Sequence, residues 1–373
     1  NEFLLPYSDY NYSKNESGVY NEDTTTQFIY DQFKDYAIGH GCSAKWDGVK
    51  KKVETEYLPE CETPDIDPIP RDKNKSAVTN QDGVFILPMF LENSQAQEFK
   101  WLSDFSDVTD NNVIEGLLTF VDSYGQWIEN KKGNIKYQSE FKEIAHQELE
   151  KCEQDYQRMK ENVETLLKGE NNKDNLASFR LMNSAMFMQL WHSVKVKQNE
   201  VILMLENKDF NSFDFNFYKE ADDKLFSQSE SAGWRAFQLA FILLNLDGIF
   251  KPENDENWER RNEWVDLVWF PTGGGKTEAY LGLIALTIIN RRKLHKEEGG
   301  GVASIMRYTL RLLTMQQFQR ASLLIMALEL IRRWNQYGLG NEPITIGLWV
   351  GDNSLPNKTE DLITEFEKLN NKQ

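Results

Sequence analysis

The amino-acid sequence predicts an α/β fold: a parallel sheet flanked by helices, preceded by a mainly α-helical region. Three observations predict it. From Val265 onward, hydrophobic strand patterns alternate with helical ones, as strands joined by crossover helices do. The first strand–helix junction carries the glycine turn Thr272-Gly273-Gly274-Gly275-Lys276-Thr277. Upstream, from about Tyr137 to Val194, apolar residues recur at helical spacing with charges between them.

Taken in order, residues 1–130 read as a mixed N-terminal accessory region, 131–225 as a helical accessory domain and 226–373 as the N-terminal part of the α/β domain. In the first region, Val53 to Pro59 is strand-like, and Glu62 to Gly83, with Pro64, Pro68 and Pro70, is an extended connection. Val84 to Leu91 is a further apolar run of strand character. His40, Cys42 and Cys61 could be weighed as zinc ligands, but there is no Cys-x-x-Cys and no second pair. Structural packing is the better reading.

A helical pattern runs from Ile114 to about Trp127, and the clearest helix from about Tyr137 to Leu167. Leu149, Cys152, Tyr156, Met159, Val163 and Leu166 form its stripe, and Lys168-Gly169 ends it. A second helix, Asn175 to about Val194, places Phe179, Met182, Met186 and Leu190 on one face. These stripes read as core of a helical domain rather than as partner-binding grooves. Glu206 to Glu230 is polar and aromatic, and Gly233 to Ile242 is helical again.

The α/β part opens with Val265-Asp266-Leu267-Val268-Trp269-Phe270, which has the length and side chains of a buried strand. Three glycines then leave backbone N–H groups open to an anion, and the following helix points its positive end at the same place. Lys276 supplies a mobile positive charge for β- and γ-phosphates, and the Thr277 hydroxyl is placed to ligate Mg²⁺. This is a phosphate-binding loop for ATP, with Thr272, Gly273, Gly274, Gly275, Lys276 and Thr277 as its binding residues. The general pattern wants glycine six residues before the lysine, where this chain has Phe270. Val302 to Met306 and Ile344 to Val350 read as second and third strands, with a helix following Arg311.

Composition narrows the function classes. The 373 residues are 40% hydrophobic and 12% aromatic, which is globular. No run reaches the ~18 apolar residues of a membrane span. Three widely spaced cysteines suit a reduced, cytoplasmic protein. The net charge of −17 excludes a chain that coats nucleic acid along its whole surface. From Arg291 to Gly340, however, nine Lys or Arg face three Glu, so this segment carries +6 and the remainder −23. Any DNA contact therefore belongs after the phosphate loop.

Pro271-Thr272-Gly273-Gly274-Gly275-Lys276-Thr277 resembles the phosphate loop of superfamily 2 helicases and translocases. The resemblance implies a RecA-like sheet, with residues 226–373 forming the front of a first motor domain. It carries Gln238, in the setting Arg235-Ala236-Phe237-Gln238, to the adenine edge, where an amide can both donate and accept. The spacing of 38 residues from Gln238 to Lys276 is longer than is usual in that family. Met306-Arg307-Tyr308-Thr309-Leu310-Arg311 resembles the strand–helix junction that holds nucleic-acid phosphates, making Arg307, Thr309 and Arg311 the DNA-binding candidates, with Gln316 orienting the helix start.

With Ala37-Ile38-Gly39-His40-Gly41-Cys42 and Trp234 to Phe241, these stretches are similar to the helicases of bacterial DISARM phage-defence systems. The resemblance implies an ATP- and Mg²⁺-dependent motor acting on phage DNA. It also implies a companion protein with a DUF1998 domain and a locus that includes a DNA methyltransferase. Hydrolysis in this class needs a strand-borne Asp-Glu pair, and none follows Lys276. Asp352 ends a hydrophobic strand but is followed by Asn353. The expectation is that the chain stops short of the Asp-Glu motif and of the second RecA-like domain. The alternative is an ATP-gated interaction module that binds nucleotide without turning it over.

Overall fold

The computed structural model describes residues 24–25, 28, 43–47, 52–56, 95–133, 139–195, 215–225, 233–251, 265–268, 275–308, 311–334, 336–349, 359–360, 363 and 367. The described part is mostly helical, with one two-stranded sheet. Strands β1 (Ser43–Asp47) and β2 (Lys52–Glu56) pair antiparallel, Trp46 opposite Val53. The helices are α1 (Phe99–Leu102), α2 (Asp110–Gly133), α3 (Ser139–Asn162), α4 (Lys173–Leu190), α5 (Phe215–Leu225), α6 (Ala236–Leu244), α7 (Leu246–Phe250), α8 (Lys276–His295) and α9 (Arg311–Arg333). The reading of residues 62–91, and that of His40, Cys42 and Cys61, fall outside the described residues.

Helix α3 follows its stripe. Leu149, Met159, Val163 and Leu166 are buried, the last two in a π-helical turn, Val163–Leu167, that continues the helix. It stops where the sequence places the stop: Lys168 is extended and Gly169 takes φ +100°, a conformation glycine adopts at no steric cost. Helix α2 packs along α3, and Arg158 of α3 reaches Asp247 of α7 at 3.1 Å.

Helix α4 departs from the one-faced helix that its Phe and Met residues predict. It is buried all round, and the burial includes Ser178, Arg180, Asn183, Ser184 and Gln189. The reason is that most of its polar groups are satisfied locally or by a dedicated partner. Ser178 Oγ donates to Asp174 O, Asn183 Nδ2 to Phe179 O and Ser184 Oγ to Arg180 O, each one turn back. Folded against their own helix, these side chains present little that needs water. Arg180 donates to the carbonyls of Asp104 and Val108, pairs with Asp110 and lies over the Phe105 ring.

Around α4 stand α1, α8 and α9, and one hydrophobic cluster runs from Ala96 and Phe99 through α4 to Leu286 of α8 and Leu328 of α9. Trp234 ties the parts together. Its indole N–H donates to Asn183 Oδ1 at 2.7 Å, its ring meets Phe99 edge-on at 4.7 Å, and its backbone exchanges hydrogen bonds with Gln97. The ring also lies against Gly282 of α8, where an added Cβ would come within 2.7 Å of it. Glycine at 282 therefore sets how closely α8 approaches.

The stretches read as three strands, 265–270, 302–306 and 344–350, form no ladder among the described residues, which include 265–268, 302–306 and 344–349 of them. Several of their apolar side chains face outward, Val265 at 93% exposed, Ile305 at 84% and Trp349 at 98%, whereas Ile344 is buried and Ala303 and Met306 pack against the core. The pattern for strands is present, but a strand needs at least one hydrogen-bonded neighbour, and the described residues supply none. Among the described residues no helix is long and apolar enough to cross a membrane.

Candidate functional site

The glycine turn enters the described residues at Gly275, which takes φ +87°, ψ 28° and is the residue before the first turn of α8. A left-handed residue there lets the chain swing directly into the helix, and glycine does this without strain. Lys276 and Thr277 are the first two residues of the 20-residue helix, both half-buried. Their backbone N–H groups belong to the unsatisfied first turn, where helix geometry favours an anion. Thr272, Gly273 and Gly274 lie outside the described residues.

Gln238 stands beside this turn. It is buried, and its side-chain Nε2 donates to Gly275 O at 2.7 Å while its Oε1 accepts from Arg235 N–H at 2.7 Å. The second contact satisfies the backbone N–H of Arg235, the residue before the first turn of α6. The structure thus brings Gln238, 37 residues upstream of Gly275 in sequence, against this turn, with Arg235 bonded to it from behind. Both polar ends of the Gln238 amide are engaged with backbone in this arrangement.

Glu278, in the first turn of α8, forms an ion pair with Arg320 of α9. Its Oε1 makes this pair; its Oε2 is buried without a hydrogen-bond partner and stands on the Gly275 side, 3.4 Å from where a Cβ on that residue would be. Tyr308 lies beside the Thr277 side chain, and burial pushes its phenol above the usual tyrosine range. A segment upstream of α9 and a side chain within α9 thus both touch the start of α8.

At the other end of α8 the basic run is spent on backbone. Arg291 donates to the carbonyls of Gly299, Gly300 and Val302. Arg292, buried, donates to Pro343 O at 3.1 Å, with Glu342 at 3.9 Å. Arg332 holds Gly340 and Asn341 carbonyls and pairs with Glu329, whose other oxygen accepts from Ile344 N–H at 2.9 Å. Burial alone would raise the Glu329 carboxyl, but the hydrogen bonds from Arg332, Ile344 and Arg333 outweigh it and hold it at about 2. Of the nine cations between Arg291 and Gly340, six therefore have partners within the fold: Arg291, Arg292, Lys293, Arg320, Arg332 and Arg333.

The DNA-binding candidates are placed only in part. Arg307 and Gln316 are exposed, on the segment before α9 and near its start. Arg311 begins α9, and Thr309 lies outside the described residues. Among the described residues no group of three His, Cys, Asp or Glu side chains is arranged to hold a metal. The donors present for Mg²⁺–ATP are the Thr277 hydroxyl, the Lys276 ammonium and the helix start, a set that fits a nucleotide's phosphates. Asp352 and Asn353 are outside the described residues.

No protein-family model matches the chain. Over 353 residues, 92% of its length, the chain is 31% identical to the DISARM protein DrmA of Bacillus paralicheniformis (strain ATCC 9945a / NCIMB 11709 / CD-2). The chain is DrmA-like. It spans 27% of the length of that relative.

Sequence reading singled out the turn, Lys276, Thr277 and Gln238, and passed over Glu278, Arg320 and Tyr308, which the structure places beside them. Glu278 had one available signal. A carboxylate in the first turn of a helix that receives an anion is an odd choice, because it competes with the ligand. Its partner lies 42 residues on, and no local spacing links the two.

Proposed function

We propose that this chain is the front part of an ATP-dependent DNA helicase or translocase of superfamily 2 type that acts in anti-phage defence. The observation that carries it is the turn at Gly275 leading directly into Lys276 and Thr277 at the start of a long helix, with Gln238 against it. The similarity to DISARM protein DrmA supports the defence role.

In this reading residues 226–373 belong to a first RecA-like motor domain, and residues 1–130 and 131–225 are accessory to it. The segments at 265–268, 302–306 and 344–349 are strands of its parallel sheet. Their exposed apolar side chains and side-by-side anchoring support that assignment. Gly300 and Glu342 stand in contact, so the second and third segments start as neighbours.

Bound Mg²⁺–ATP supplies the transferable phosphoryl group and the metal that screens its charge. The backbone N–H groups from Gly273 to Lys276 cradle phosphate oxygens, Lys276 balances charge on the β- and γ-phosphates, and Thr277 offers its hydroxyl to the metal. Gln238 and Arg235 border the adenine side. Arg307, Thr309, Arg311 and Gln316 contact DNA phosphates, and the partners are phage DNA and a DISARM protein with a DUF1998 domain, in the cytoplasm. A second reading, an ATP-gated interaction module, draws on the sequence after Lys276, where no Asp-Glu pair follows a hydrophobic strand.

The test is ATP turnover by the complete protein, with and without single- and double-stranded DNA, beside Lys276→Ala. DNA-stimulated turnover that the variant loses, by a factor of about 10² or more, is the expected result. Turnover unchanged in Lys276→Ala overturns the motor reading, and nucleotide binding without turnover selects the gated module.

A further inference from the structure

Glu278 is a carboxylate placed next to a turn built for anions. It cannot serve the phosphates, because like charges repel and no metal-binding cluster surrounds it among the described residues. What it does in this fold is pair with Arg320, more than two turns into α9. Both side chains are largely withdrawn from solvent, 20% and 29% exposed, so the charge interaction between them is less screened than on an open surface. The pair joins two elements with different expected ligands. Glu278 is in the first turn of the nucleotide helix, and α9 begins at the DNA-binding candidate Arg311.

On its other side, Glu278 presents an unpartnered buried oxygen toward Gly275, whose carbonyl Gln238 holds. The order of contacts is therefore Gln238, Gly275, Glu278, Arg320. Polyphosphate arriving at the turn brings several negative charges close to Glu278 and Arg320 together. It repels the carboxylate and competes for the guanidinium, so both effects weaken the pair.

We propose that the Glu278–Arg320 ion pair is the switchable link between the phosphate loop and α9: closed without nucleotide, opened by the phosphates, and so able to make DNA affinity depend on nucleotide. Glu278 and Arg320 are positioning residues in this scheme. The inference rests on the nucleotide-binding reading above, and it makes a signed prediction. Removing the Glu278 charge removes the competitor, so nucleotide binds more tightly, while the dependence of DNA binding on nucleotide disappears.

The experiment measures, on the complete protein, the affinity for a fluorescent ATP analogue with Mg²⁺, and the affinity for a single-stranded oligonucleotide with and without that analogue. Wild type, Lys276→Ala, Glu278→Gln, Arg320→Met and Arg320→Lys are compared. Glu278→Gln is expected to bind nucleotide about threefold to tenfold more tightly. It should bind the oligonucleotide, with or without nucleotide, as nucleotide-bound wild type does, and so lose most of the nucleotide-induced change. Arg320→Met should lose the same change, and Arg320→Lys should retain part of it.

A nucleotide-induced change that persists at wild-type size in both Glu278→Gln and Arg320→Met overturns the link, as does its absence from wild type. Weaker nucleotide binding by Glu278→Gln overturns the charge-competition account. Failure of the underlying reading looks different: wild type and Lys276→Ala would then bind the analogue equally poorly, and the link would fall with it.

Discussion

Helix α8 is held by different means at its two ends. At the C-terminal end, Arg291 and Arg292 donate to four carbonyls of the chain that follows, and Glu329 with Arg332 completes the anchorage from α9. At the N-terminal end, the turn is held by the Gln238 amide, the Glu278–Arg320 pair and the Thr277–Tyr308 contact. Guanidinium groups bound to backbone carbonyls have no ligand to compete with. An ion pair, an amide and a hydroxyl beside an anion site do. The fixed end positions the helix, and the exchangeable end is where a ligand can act.

The comparison breaks most visibly if the fixed end is removed. Arg292→Met should cost about 2–4 kcal/mol, since it leaves the Pro343 carbonyl without its buried donor. Thermal or denaturant unfolding reads this directly, and a loss under about 0.5 kcal/mol would place the anchorage elsewhere.

Gln238→Leu tests the other end. Its stability cost should be smaller, about 1–2 kcal/mol for two lost hydrogen bonds, but nucleotide affinity should fall. If Gln238 acts by holding Gly275, ATP and GTP should weaken equally. If it reads the adenine edge, only ATP should weaken. Competition binding with the two nucleotides separates the roles.

Glu329 gives a pH signature. Its carboxyl is held at about 2, below the ordinary value of about 4.3. A depressed carboxyl contributes stability that is present above the unfolded value and lost as pH falls from about 5 toward 2. Allowing for solvent screening, the contribution is about 1–2 kcal/mol, and Glu329→Gln should flatten that part of the stability–pH curve. Arg307→Ala should have the smallest effect on folding, below about 0.5 kcal/mol for an exposed side chain. It should weaken oligonucleotide binding and reduce its salt dependence by about one phosphate contact.

Much of this was legible in the sequence where the physics is local. The stripe of α3 and its end at Gly169 depend on spacing within one helix, and the structure follows them. The start of α8 was legible because a run of glycines ends a preceding segment and Gly275 can take the left-handed turn into the helix. Helix α4 was legible as a helix, but its all-round burial was not, because it depends on Ser178, Asn183 and Ser184 bonding the turn before them. The roles of Arg291, Arg292 and Arg332 were also hidden. Composition counts them as a basic patch, whereas the fold spends them on carbonyls. The extended segments lie between these cases, since an apolar pattern marks a strand but cannot supply the neighbour that completes its ladder.

The all-round burial of α4 has a consequence for synthesis. The helix leaves the ribosome at residues 173–190, but two of the surfaces that cover it come with α8 and α9, ending at residues 295 and 333. At about 5–20 residues per second, that interval is on the order of ten seconds. During it, Phe179, Met182, Met186 and Phe187 have no finished core to enter. Closure of this core is therefore deferred until α8 and α9 have been made.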